Sequence, residues 1–144
     1  MVLTIYKDDM PRKRIRDCET EKITINLGYV DLGRVDLLVK EGFYSSRSDF
    51  IRTAIRAQIG SHEQVIQQAV ARHTLVLGLQ DFTRAHLEGL RKKNERLRIQ
   101  VLGLARIATD VPPELALATI ESVRVLGRLQ CSDAVRRALA DRIT

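Results

Sequence analysis

Residues 21–29 read "EKITINLGY". Lys22, Thr24 and Asn26 alternate with Ile23, Ile25 and Leu27, the period-2 pattern of a strand with one buried face. No second strand follows, because the next thirty-odd residues carry helical periodicity. A lone strand leaves its backbone N–H and C=O groups unpaired and is not stable by itself. The economical solution is a second copy of the chain, with two "KITINL" segments antiparallel about a two-fold axis. Ile23, Ile25 and Leu27 then enter a shared core, and Lys22, Thr24 and Asn26 project from the other side. The expectation is an obligate homodimer.

Working outward, "YVDLGRVDLLVKEG" (29–42) places Val30, Leu32, Val35, Leu38 and Val39 on one helical face, and Gly42 stands where a helix-ending glycine belongs. In "FYSSRSDFIRTAIRAQIG" (43–60), Ser46 is a good N-cap and Asp49 can complete a capping-box-like pair. Phe50, Ile51, Ala54, Ile55 and Ile59 form that helix's apolar stripe. Gly60 is expected to end it and Ser61 to cap a third helix, whose stripe is Val65, Ile66, Ala69 and Val70.

The texture then changes. Val-Leu-Gly occurs at 76–78, 101–103 and 125–127, each time ending a short apolar run. A helix-like segment follows each copy, starting near Thr83, Pro112–Pro113 and Ser132. Such spacing predicts about three β–α repeats with parallel strands, as a short leucine-rich-repeat-like stack or a small α/β sandwich. The fold class is therefore α+β: a strand-helix-helix dimerisation domain over 21–60 and an α/β repeat domain over 61–144. Residues 1–20, with the basic "PRKRIR" at 11–16, read as a basic mobile arm.

A two-stranded ribbon fits the major groove of B-DNA, and Asn, Lys and Thr are suited to base edges. The start of the second helix offers a phosphate free amides around Arg47, Ser48 and Asp49, the Ser46 hydroxyl and the helix dipole. Residues 21–60 resemble a ribbon-helix-helix DNA-binding domain of the MetJ/Arc/CopG type, through "KITINL", a helix ending near "KEG", and "YSSRSDFIRTAIR". The resemblance implies that Lys22, Thr24 and Asn26 read bases, and that Ser46 to Ser48 clamp the DNA backbone. The first helix departs from many members, opening with "GYVD" instead of Pro-rich or acidic residues.

Composition bounds the alternatives. Six aromatics and no Trp make a base-stacking platform for single strands a poor fit. The net charge of +6 suits a polyanion, yet residues 1–60 hold 11 Lys+Arg against 9 Asp+Glu, so placement decides more than total charge. Two cysteines, Cys18 and Cys131, form neither a disulfide framework nor a zinc site, and no long apolar run or leader is visible. A reduced, cytoplasmic protein without membrane attachment is the expectation. His62, His73 and His86 lack metal-ligand spacing, unlike nickel-responsive members of the fold, so no metal or cofactor is expected. No nucleophile–base grouping, paired acids or phosphate-binding glycine loop suggests an enzyme.

The leading function is a sequence-specific regulator of double-stranded DNA, of the repressor kind. Its 61–144 domain is expected to link dimers into higher oligomers. Two alternatives are an antitoxin with a toxin partner and an architectural protein that coats DNA. The aliphatic, repeat-patterned second half departs from the polar, extended segment with which an antitoxin wraps its toxin.

Overall fold

The computed structural model of the chain describes residues 2–4 and 20–144. They fall into two compact units, one of residues 20–69 and one of residues 70–144 with the strand at 2–4. The "PRKRIR" arm segment lies outside the described residues.

In the first unit, residues 20–28 carry neither helix nor strand. Helix α1 spans Tyr29–Lys40 and α2 spans Arg47–Ser61. The sequence accounts for both ends of the turn between them. Gly42 adopts φ 85°, and the N–H groups of Phe43 and Gly42 donate to the carbonyls of Leu38 and Val39, the paired bonds of a Schellman ending. Ser46 then caps α2, its hydroxyl oxygen accepting from the Asp49 N–H at 3.1 Å. The Asp49 carboxylate reaches back one residue further than a capping box requires, accepting from the N–H and hydroxyl of Ser45.

The expected break at Gly60 is corrected. Helix α2 runs through Gly60 to Ser61, the interruption falls at His62, and α3 occupies Glu63–His73. Gly within a helix costs only about 1 kcal/mol, which continuing hydrogen bonds offset. Ser61 does not cap α3; its hydroxyl donates backward to the Gln58 carbonyl at 2.6 Å.

The second unit alternates strands and helices: β2 (Val76–Phe82), α4 (Arg84–Lys92), β3 (Arg96–Ile107), α5 (Pro113–Thr119), β4 (Ile120–Gln130) and α6 (Asp133–Ala138). A short 3₁₀ turn, Ala140–Arg142, follows. Strands β2, β3 and β4 are parallel and in repeat register, with Gly78 opposite Gly103 and Gly103 opposite Gly127. The parallel β–α repeat anticipated from Val-Leu-Gly is therefore present. Strand β1 (Val2–Thr4) adds to the start of β3, Leu3 opposite Leu97.

The repeat strands are longer than the short apolar runs suggested, 12 residues in β3 and 11 in β4. The basic stretch "LRKKNERLR" (90–98), whose charge pattern reads as the solvated face of one helix, is divided between two elements. Helix α4 ends at Lys92, Asn94 takes the left-handed φ of 55°, and β3 begins at Arg96. From there buried Leu97 and Ile99 alternate with exposed Arg96 and Arg98, so period 2 replaces period 3.6.

Glycine is required in the repeat for two reasons. Gly78, Gly103 and Gly127 adopt φ of 116°, 139° and 124°, which side chains rarely tolerate. In addition, a Cβ on Gly103 would overlap the Gly78 carbonyl oxygen, and one on Gly127 the Gly103 carbonyl oxygen. The inward side chains of the strands, Ile99, Val101 and Val123 among them, pack with Leu87, Leu115, Val135 and Leu139 into one aliphatic core. Thr119, also buried, satisfies its hydroxyl by donating to the Leu115 carbonyl at 2.7 Å.

Candidate nucleic-acid interface

The first unit encloses little core of its own. Among its residues Val35 is the sole buried hydrophobic side chain. Ile23, Ile25 and Leu27 are 78%, 54% and 44% exposed, and Ile55 and Ile59 are each more than half exposed. Leaving a large aliphatic side chain in water forgoes roughly 1.5–3 kcal/mol. Exposed apolar side chains gathered in this number mark a surface for another molecule.

Their arrangement is ordered. Ile25 and Leu27 line an apolar groove of about 450 Å³ with Val35, Leu38, Phe50, Ile51, Ala54 and Ile55. Lys22, Thr24 and Asn26 do not line it, and all three are exposed. Two of the three alternating apolar residues therefore share the side that faces helices α1 and α2. Ile23 lies outside the groove lining. Among the described residues, no strand pairs with 22–27.

Ser46, Arg47 and Ser48 meet at the start of α2 and are all exposed. The N–H groups of Arg47 and Ser48 belong to the first turn, where a helix offers no backbone acceptor. The Arg47 side chain also makes a contact within the unit. Its guanidinium forms a two-point pair with the Asp36 carboxylate, at 2.6 and 2.7 Å, joining α1 to α2. That bond holds the Asp36 carboxyl below its ordinary value and raises Arg47 further. Asp36 carries no signal in the sequence, since its separation from Arg47, eleven residues, does not mark a local pair. Tyr44 and Phe50 contact edge to face, with ring centroids 5.0 Å apart, bracing the same turn.

The three histidines are separately engaged. His62 lies 3.2 Å from the Gln58 amide, His73 3.4 Å from the Arg124 guanidinium, and His86 stacks on Phe82. Among the described residues no cluster of His, Cys, Asp or Glu has metal-binding geometry. No helix among them is long and apolar enough to cross a membrane.

The model of the ribbon-helix-helix transcriptional regulator family matches residues 18–136. The match therefore includes the β–α repeats as well as the N-terminal helices. No curated protein and no solved structure matches the chain.

Proposed function

Because this chain belongs to the ribbon-helix-helix transcriptional regulator family, we propose that it is a sequence-specific repressor of double-stranded DNA. Two copies pair residues 22–27 antiparallel and lay that ribbon in the major groove. Lys22, Thr24 and Asn26 of both chains read base edges, Asn26 being suited to adenine and Lys22 to guanine. Ile23, Ile25 and Leu27 close over the exposed groove of the dimer. The observation that carries this reading is the division of the segment: Ile25 and Leu27 line the apolar groove, whereas Lys22, Thr24 and Asn26 stand outside it.

Phosphates are taken by the amides and hydroxyls of Ser46 and Ser48, which fix register while the ribbon supplies sequence preference. Arg47 adds its charge to the same site while its bond to Asp36 sets the angle of α1 against α2. Residues 61–144 link dimers into higher assemblies, raising apparent affinity for adjacent operators through effective concentration.

In-vitro selection of bound DNA, followed by footprinting, tests the proposal. A short recovered motif and discrete protected blocks are expected. Protection that spreads without a motif would instead identify an architectural DNA-coating protein. The antitoxin reading is less well supported, because residues 70–144 already enclose an aliphatic core and do not form the extended, polar segment that wraps a toxin.

A further inference from the structure

We propose that the two outer edges of the β–α sheet pair with each other between copies, β4 of one chain adding parallel to β2 of the next. This builds on the reading that residues 61–144 link dimers, and it names the surface that does so.

Strand β3 lies between β2 and β4, and among the described residues no further strand pairs with the outer side of β2 or of the second half of β4. The start of β4 is covered, where Val123 bridges Ile143 and accepts from the Thr144 N–H, and near its end the Leu129 carbonyl accepts from the Arg136 guanidinium at 2.7 Å, a side-chain bond that an added strand would replace. Strand β1 extends the β2 edge end to end, beside residues 96–98, and among the described residues no strand lies on the outer side of β2. Open edges of this kind are templates for another strand.

The glycine ladder selects which strand fits. Gly103 and Gly127 are each required sterically by the carbonyl of the glycine in the preceding strand. Gly78 adopts the same left-handed conformation, but among the described residues nothing lies within 4 Å of a Cβ placed on it. A β4 strand from a second copy, placed in the repeat's register, brings its Gly127 carbonyl to that open side. The remaining pairs then follow: Val125 with Val76, Leu126 with Leu77, Arg128 with Leu79, Leu129 with Gln80 and Gln130 with Asp81. No like charges are opposed. The outward leucine row of Leu77, Leu102 and Leu126 continues into the next copy. The row in which Arg106 binds both Asp81 and Gln130 continues likewise.

Two different edges meeting head to tail form a heterologous contact, which propagates instead of closing on itself. Alternating with the two-fold joint at residues 22–27, it arranges dimers in an open array.

The test uses the full chain with Cys18→Ser and Cys131→Ser, then Leu77→Cys, Leu126→Cys or both. Leu77 and Leu126 are 61% and 50% exposed, so neither change disturbs the core. Within one chain they lie two strands apart, roughly 9–10 Å, beyond the reach of a disulfide. Under mild oxidation the double variant is expected to give a ladder of covalent dimers, trimers and larger species on a denaturing gel. A mixture of the two single variants should stop at covalent dimers, and each single variant alone should give none. Cross-linking of either single variant alone, or no cross-linking of the double variant, would overturn the head-to-tail joint. Sedimentation and a DNA gel shift on the unoxidised chain separate the causes. Assemblies larger than a dimer without cross-links refute this edge pairing and leave the linking role standing. A chain that sediments only as a dimer refutes both, whatever its DNA binding.

Discussion

The two units of this chain spend similar aliphatic composition in opposite ways. Residues 70–144 enclose a shared core from three strands and three helices. Residues 20–69 bury Val35 and leave Ile23, Ile25, Ile55 and Ile59 more than half exposed. The difference teaches that one unit folds upon itself while the other, on the proposed account, is half of a structure. A repeat can satisfy its strands internally because the next strand is only 24 or 25 residues away. Among the described residues the segment at 22–27 has no such neighbour, so on the proposed account a second chain supplies one.

The largest expected effect breaks the half-structure. Ile25→Asp places a carboxylate in the proposed shared core, where an unpaired charge is intolerable. It should abolish the pairing at 22–27 and DNA binding together, as seen by loss of interchain NMR cross-peaks there and by gel shift, while the repeat unit keeps its own unfolding transition. Gly103→Ala makes the converse cut. Its Cβ meets the Gly78 carbonyl, and its positive φ alone costs about 1–3 kcal/mol. Denaturant unfolding should show the repeat unit destabilised by at least that amount, with DNA binding by isolated dimers retained.

How far these features were legible in the sequence depends on the range of the interaction. Ser46, Gly42, Thr83 and Ser132 act within a few residues of themselves, so their caps could be read directly. Val-Leu-Gly revealed the parallel repeat, although not the clash that makes glycine necessary, which exists only between neighbouring strands. Gly60 misled because helix interiors tolerate glycine when the backbone bonds continue. The basic run at 90–98 misled because Asn94 switches the chain from helix to strand inside it. For the candidate interface, the alternation of 22–27 was visible, whereas the Asp36–Arg47 bond required knowing how α1 meets α2.

Smaller effects sharpen the contrast. Asn26→Ala should leave the dimer intact and cost about 1–3 kcal/mol of discrimination at one base pair per half-site. Competition binding against operators altered base by base measures this; equal weakening on all sequences would mean that Asn26 does not read a base. Gly89→Ala, in α4 with nothing within 4 Å of the added methyl, should stabilise the repeat unit by about 0.4–1 kcal/mol. Thus one glycine in this unit is dispensable while the ladder glycines are not.

The gentlest perturbation is acid. Arg47 depresses the Asp36 carboxyl in the folded chain below its ordinary value of 3.8. The folded state therefore binds fewer protons there than the unfolded state. Stability from this pair is complete above that ordinary value and is lost as pH falls through the lower folded value. Arg47→Gln should remove that dependence, so unfolding curves of variant and wild type should converge as pH drops below 3.8.

The most direct measurement concerns the pairing of residues 22–27. Isotope-filtered NMR on a dimer of one labelled and one unlabelled chain detects only those proton pairs that lie close together across the two copies. The account predicts interchain cross-peaks between facing α-protons of an antiparallel ladder within 22–27. A dimeric sample in which these residues show cross-peaks only to their own chain, or pair with nothing, would contradict it.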